Sequence, residues 1–308
     1  MRYLSPVPEL KISEIAAGCM RISQMPVKEV TEFISGAHDC GVNFYDHADV
    51  YGDGKSEEVF GKAFNNASID RDQIYLQSKC GINKTQGDTF FDFSKEHILA
   101  SVDGSLRRLR TDYLDVLLLH RPDALVEPQE VAEAFSLLEK SGKVRYFGVS
   151  NQSPNQIELL QAAVRQKLLF NQLQFSLMFT GMVDAGININ MKNVNSFDHD
   201  NGILDYCRLK GITVQTWSPF QYGMFQGVFV GNDKFPEVNA CLNEMALKYN
   251  VSPSAIAAAW LLRHPAHMQV VLGTTKVDRL RDIATAADIV LSRADWYKLY
   301  VAAGNQLP

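Results

Sequence analysis

Residues 113–122 read Y-L-D-V-L-L-L-H-R-P. Between Tyr113 and Leu119 every position but Asp115 is apolar, without the apolar–polar alternation of a strand that has one wet face. A strand apolar on both sides belongs to a sheet buried on both faces, the usual state of parallel sheets under their crossover helices. The run stops at His120, Arg121 and Pro122, so polar chemistry begins where the buried strand ends.

Seven more short apolar and β-branched runs repeat this pattern: Ile15 to Met20, Val42 to Asp46, Ile74 to Cys80, Tyr146 to Ser150, Leu169 to Phe175, Ile212 to Ser218 and Val270 to Thr274. Segments of helical period lie between them. Val27 to Cys40 puts Val30, Phe33, Ile34 and Ala37 on one side, and Gln129 to Lys140 does the same with Val131, Ala134, Phe135 and Leu138. Ser153-Pro154-Asn155-Gln156 supplies a capping oxygen, a proline at the first helical position and a glutamine three residues on; Ser252-Pro253 repeats the first two signals. Strand and helix alternate with no Pro/Gly/Ser-rich linker and no shift in composition, which predicts a single (β/α)8 TIM barrel over residues 1–308. The competitor is an open doubly wound sheet. When such a sheet binds a dinucleotide it carries a G-x-G-x-x-G turn after its first strand, and that string is absent. Residues before Ile12 are expected to form a hairpin, and Phe179 to Asn201 a long loop after the sixth strand, of the kind that shapes a substrate site.

The 308 residues are 46% hydrophobic and 21% charged with a net charge of −5, which suits a globular chain with a sizeable core. Charges of both signs are mixed in short groups, so there is no basic stripe and nucleic acid is not expected as a partner. The start, MRYLSPVPELKISEI, has charges and two prolines where a secretory peptide needs an apolar run, and no later run is long enough to cross a membrane. A cytoplasmic location is therefore expected. Cys19, Cys40, Cys80, Cys207 and Cys241 are odd in number and form no C-x-x-C pair, which fits reduced thiols better than disulfides or a zinc site.

In a (β/α)8 barrel the chemistry sits at the C-terminal ends of the strands. Asp46 closes the second strand within N-F-Y-D-H-A-D-V-Y-G, with Tyr51 five residues on; Lys79 closes the third and His120 the fourth. Ser150 and Asn151 close the fifth, Asn171 and Gln172 lie in the sixth, and Trp217-Ser218-Pro219 closes the seventh. Singly, most have ordinary structural explanations: an Asp as a turn or cap residue, a Tyr as core with its hydroxyl outward, a His as a satisfied polar group. Lys79 is harder to explain that way, because an ammonium at the end of an apolar strand needs an anion. Asp46 on the neighbouring strand is the candidate.

The order D-(x4)-Y, strand-final K, strand-final H, then G-V-S-N and N-Q resembles the aldo-keto reductase family. The resemblance runs from A-A-G-C-M-R (16–21) through D-H-A-D-V-Y-G, S-K-C-G, L-L-L-H-R-P-D, S-G-K-V-R-Y-F-G-V-S-N and W-S-P to G-T-T-K-V-D-R-L-R-D (273–282). It is similar in particular to bacterial oxidoreductases of the family that share D-H-A-D-x-Y-G and end with D-W-Y, here Asp295-Trp296-Tyr297. The resemblance implies an NADP(H)-dependent reductase of aldehydes or ketones. Tyr51 would donate the proton, Lys79 would lower its pKa, Asp46 would hold Lys79 charged, and His120 would orient and polarise the carbonyl.

By the same resemblance, Ser150, Asn151 and Gln172 would hold the nicotinamide carboxamide and Trp217 would stack on the ring. Ser218, Phe220, Gln221 and Gly223 would run beside the pyrophosphate, and Gly18, Cys19 and Met20 would approach the ribose end of the nicotinamide. Thr274, Lys276 and Arg279 match the positions for the 2′-phosphate of NADPH. Two departures stand out: S-P-F-Q-Y-G (218–223) replaces the commoner S-P-L-G-G-G, and Ile283 occupies a usually polar adenine-contacting position. Met20, Arg21, His47, Phe90, Phe91 and residues 179–201 are expected to line the substrate pocket. Two other readings compete. A metal-dependent hydrolase would use Asp46, His47, Asp49 and His120 as ligands, although adjacent strand residues such as Asp46 and His47 point to opposite sides. A redox-sensing or regulatory subunit would keep the fold and the cofactor with little turnover.

Overall fold

The computed structural model describes residues 1–84 and 87–308. All eight runs form strands: β1 (Ile15–Gly18), β2 (Phe44–Asp46), β3 (Tyr75–Cys80), β4 (Leu114–Leu119), β5 (Val144–Ser150), β6 (Leu168–Gln174), β7 (Thr213–Trp217) and β8 (Gln269–Leu272). They follow one another in sequence order, with β8 beside β1, as a closed parallel barrel. All six residues of β4 are buried, Asp115 included, as its unbroken apolar run requires. The N-terminal hairpin pairs Tyr3–Leu4 with Ile12–Ser13.

The crossover helices bury the stripes expected of them. Helix Val27–Asp39 buries Val30, Phe33, Ile34 and Ala37, with Cys40 as its C-cap. Helix Pro128–Lys140 buries Val131, Ala134, Phe135 and Leu138, and Phe135 stacks on Phe147 of β5 at 4.1 Å between ring centroids. Ahead of helix Pro154–Gln161 the Ser153 N–H donates to Gln156 Oε1 at 2.9 Å, and Ser252 Oγ accepts from the Ala255 N–H at the start of helix Pro253–Leu262.

Residues 179–201 depart from the expected plain loop: they contain helix Gly181–Ile187 and a single 3-10 turn, Val194–Ser196. Asp184 organises this segment, accepting hydrogen bonds from Thr180 Oγ1 at 2.9 Å and Tyr300 Oη at 2.7 Å, while its carbonyl accepts from Asn188 Nδ2. The Tyr300 partner is distant in sequence, so local pattern did not reveal the helix.

The chain divides into two compact units, Ala16–Gln172 with Gly273–Val277, and Met1–Ile15 with Leu173–Leu272 and Asp278–Pro308. In the second, Trp260 and Trp296 stack at 4.7 Å and each indole N–H donates to the other's carbonyl at 3.0 Å. Asp295 of the D-W-Y segment accepts from Lys248, Tyr249 and Ser292.

In the first unit, Asp115 is 1% exposed and accepts from Arg71 Nη2 at 2.7 Å, Arg145 Nη1 at 3.2 Å and the Leu76 N–H at 2.9 Å. Both guanidinium groups also lie over the Tyr113 ring. One carboxylate thus ties three strands near their N-terminal ends. Asp115→Ala is expected to lower stability by about 2 kcal/mol in urea unfolding, because it strands the buried Leu76 N–H and removes the partner of the half-buried Arg71; a loss under about 0.5 kcal/mol would show that the cluster contributes nothing.

Candidate active site

The strand ends are brought level by register: Gly18 lies opposite Asp46, Asp46 opposite Gln77, Lys79 opposite Leu118 and Ser150 opposite Gln172. Beyond the regular ladder each tip stays tied to its neighbour. The N–H groups of Cys19, His47, Asp49, His120 and Asn151 donate to the carbonyls of Asp46, Gln77, Lys79, Cys80 and Gln172 in turn, at 2.8 to 3.0 Å. Side chains on these tips therefore sit on fixed backbone rather than on free loops.

Lys79 is 1% exposed. Its ammonium donates to Asp46 Oδ2 at 2.8 Å, to the His47 carbonyl at 2.8 Å and to Tyr51 Oη at 3.1 Å. An ammonium has three protons, and each here has its acceptor. Asp46 has two further donors: its Oδ1, itself 2.8 Å from Lys79 Nζ, accepts from Gln77 Nε2 at 2.6 Å and from Gln172 Nε2 at 2.9 Å. The buried ion pair thus has the hydrogen bonds that make burial of charge tolerable. Because Tyr51 accepts from Lys79, its own hydroxyl proton is left for another acceptor.

Burial pulls the Lys79 pKa down, but Asp46 and Tyr51 outweigh it and the net shift is upward, so Lys79 stays an ammonium. At Tyr51 the Lys79 charge acts in the expected direction, lowering the pKa, but burial outweighs it. Burial raises its phenol above 10.0, the Lys79 charge pulls it back only in part, and Asp46 raises it further. The tyrosine is thereby held in its protonated form. His120 meets the Tyr51 ring edge-on at 5.9 Å, and its Nδ1 is buried without a partner. Burial, then Lys79 and Arg121, drive its pKa well below 6.5, so it is a neutral imidazole.

His47 takes no part in a substrate pocket. It is fully buried with its ring edge-on to Phe60 at 4.5 Å, and burial with the nearby Lys79 charge lowers its pKa to about 3. Asp46 and His47, adjacent in the chain, face opposite sides, one toward Lys79 and the other toward a helix. Among the described residues no three His, Cys, Asp or Glu side chains gather as metal ligands, and no helix is long and apolar enough to cross a membrane.

Ser150 is buried; its hydroxyl donates to the Gln172 carbonyl and accepts from Asn151 Nδ2. Asn151 is half-buried in a left-handed conformation, φ 57°. Gly18 and Cys19 are buried, and Met20 is exposed. At the tip of β7 Trp217 and Ser218 are half-buried. The chain after them folds back on itself, with Gln221 N–H donating to the Ser218 carbonyl, Tyr222 to Gly227 and Phe229 to Phe220. The end of the Gln226 side chain lies against Gly223, within 2.5 Å of where a Cβ would stand. Thr274 Oγ1 accepts from the Lys276 N–H just before helix Val277–Ala284, and Lys276 and Arg279 are exposed. Gln77 was missed from sequence; its signal was its place two residues before Lys79, on the same face of β3.

The closed parallel barrel brings Asp46, Tyr51, Lys79 and His120 together at its strand tips. The model of the aldo/keto reductase family matches residues 14–300, and the chain belongs to that family. It is 34% identical to "Uncharacterized oxidoreductase YcsN" of Bacillus subtilis, with all of both chains covered. It is 33% identical to a 6-dehydroglucose reductase of Agrobacterium fabrum over 98% of each. A solved aldo/keto reductase from Klebsiella pneumoniae, in complex with NADP and acetate, superposes with a TM-score of 0.71 at 25% identity, covering 94% of this chain and 90% of that one.

If burial governs His120, its imidazole resonances should stay those of a neutral ring from pH 5.5 to 8 in a nitrogen-15 NMR titration. A midpoint near the ordinary 6.5 would contradict the site's electrostatics.

Proposed function

We propose that the protein reduces aldehydes or ketones to alcohols with NADPH, Tyr51 being the proton donor. The observation that carries this reading is the triple hydrogen bonding of Lys79, which joins a buried carboxylate to the phenol. A nicotinamide cofactor, when bound, would supply the hydride that the carbonyl carbon needs. Negative charge then develops on the oxygen, and Tyr51 delivers its proton there. The phenolate that remains accepts its hydrogen bond from Lys79, an interaction that strengthens as charge appears, which is the condition for lowering a barrier. Asp46 keeps the ammonium charged and fixed. Neutral His120 orients the carbonyl oxygen; it is not an acid at neutral pH.

Several features fit the cofactor. Asn151 and Gln172, beside the tetrad, offer amide groups to a carboxamide, with Ser150 holding Asn151 in place. The indole of Trp217 offers a ring face, and the backbone from Ser218 through Phe220 and Gln221 to Gly223 offers a shaped turn. Gln221 has a buried side-chain oxygen without a partner, and the amide rotated end for end would present its N–H groups to a pyrophosphate. Gly18, Cys19 and Met20 stand at the tip of β1 for the ribose. Thr274, Lys276 and Arg279 provide one hydroxyl and two cations for a 2′-phosphate.

Tyr51→Phe should cut carbonyl reduction by at least about 10²-fold, followed by nicotinamide absorbance, while NADPH binds with unchanged Kd; near-normal turnover would refute the donor assignment. NADPH should bind at least about tenfold more tightly than NADH, and Lys276→Ala with Arg279→Ala should erase the difference. Equal affinities in the starting protein would remove the phosphate role. Tight NADPH binding with no turnover across a panel of aldehydes and ketones would favour the regulatory reading.

A further inference from the structure

We propose that a groove between helices, within the unit that carries Trp260 and Trp296, binds a small carboxylate with an apolar, ring-sized body. Its walls come from helix Gly181–Ile187, helix Ile203–Lys210, the turn after helix Pro253–Leu262 and helix Arg293–Ala302, and its volume is about 390 Å³. Small-molecule sites span about 300–1,000 Å³, so the groove has room for such a ligand. No strand residue lines it, which separates it from the tetrad at the strand tips. The inference does not depend on Tyr51 as the proton donor.

Two guanidinium groups line the groove, those of Arg263 and Arg293. Arg263 is half-buried, and its Nε donates to the Leu291 carbonyl at 2.7 Å. Leu291 stands two residues before Arg293, so this bond ties Arg263 to the start of the helix that carries the second guanidinium. Among the described residues neither arginine has a carboxylate within ion-pair distance, and the Nη groups of Arg263 have no acceptor. Arg71 and Arg108, half-buried as well, each hold one, Asp115 and Glu57. Asp205, the carboxylate on the groove wall, is engaged by Arg208 at 3.5 Å. His264 adds a donor. The Ala266 N–H donates to its Nδ1 at 3.2 Å, so the neutral ring carries its proton on Nε2. Burial, then the Arg208 charge, lower the His264 pKa to about 4, with Arg263 adding to the fall and Asp205 opposing it. A guanidinium fork held in place without a counter-ion matches a carboxylate in charge and in shape.

The rest of the lining is apolar. Val183, Ile187 and Leu204 give aliphatic surface, and Trp296 and Tyr297 give aromatic surface. Trp296 is fixed by stacking on Trp260 at 4.7 Å and on Tyr300 at 5.8 Å, and Tyr297 meets it edge-on at 5.0 Å. The wall is therefore ordered before a ligand arrives, which lowers the cost of binding. An inorganic anion would use the arginines and leave this surface wet; a neutral ring would cover the surface and leave the arginines unpaired. A carboxylate on an apolar body uses both.

The test is equilibrium dialysis of phenylacetate against the full chain, with phenylacetamide and acetate as controls and no nicotinamide present. Phenylacetate should bind with a Kd of about 1 mM or lower, and at least about tenfold more tightly than phenylacetamide, which lacks the charge, or acetate, which lacks the ring. Arg293 is exposed and makes no hydrogen bond to the rest of the chain, so Arg293→Ala leaves the fold alone. It should weaken phenylacetate at least about fivefold, and Arg263→Lys, which keeps the charge and loses the fork, should weaken it as well. Tyr51→Phe should bind phenylacetate as wild type does, which separates the groove from the carbonyl site. No binding at about 10 mM, equal affinity for phenylacetamide, or unchanged binding in Arg293→Ala would each overturn the proposal. Self-association that Arg293→Glu abolishes would assign the groove to a second copy of the chain and overturn it too.

Discussion

A lysine ammonium at the end of a buried strand is the constraint on which the site depends. Removed from water, it must find an acceptor for each of its protons, and the acceptors at Lys79 come from the tip of β2 and the segment just after it. That requirement places Asp46, the His47 carbonyl and Tyr51 together. It also makes the carboxylate's own hydrogen bonds matter. Gln77 and Gln172 reach Asp46 from two different strands and fix the direction in which it presents its charge.

The barrel's part is to supply tips that do not drift. Continuous parallel register across β2, β3 and β4 brings their ends to one level, and the backbone bonds from one tip to the next extend that order past the regular sheet. Asp115 does comparable work near the opposite ends of β3, β4 and β5. Between those polar layers β4 carries only the buried apolar side chains of Val116 to Leu119. Electrostatic preorganisation of this kind lets a site stabilise developing charge without rearranging.

Much of this was legible in the chain. The double-sided apolarity of β4, the periodicity of Val27–Asp39 and the caps at Ser153 and Ser252 read directly into structure, because each depends on nearest neighbours in sequence. The pairing of Lys79 with Asp46 followed from the poverty of alternatives for a buried cation. What escaped depends on three-dimensional burial. Tyr51 was expected to have a lowered pKa from Lys79, yet burial decides the sign. His47 was expected in the pocket, but Phe60 on the following helix covers it. Helix Gly181–Ile187 has little apolar periodicity, and the partner of its Asp184, Tyr300, is more than a hundred residues away. The buried Glu57, which accepts from Arg108 Nε and Ser78 Oγ, likewise joins two helices and a strand that no local pattern connects.

The most direct test is a double-mutant cycle of Asp46→Asn and Lys79→Met, with stability measured by urea unfolding at pH 7. If the ammonium is held charged by the carboxylate, each single change should cost about 3 kcal/mol or more by stranding the other's buried charge. The double variant should then lose less than the sum by at least about 2 kcal/mol. Additive losses would mean that Lys79 and Asp46 are held independently, and Tyr51 would lack the charged neighbour on which its proposed role depends.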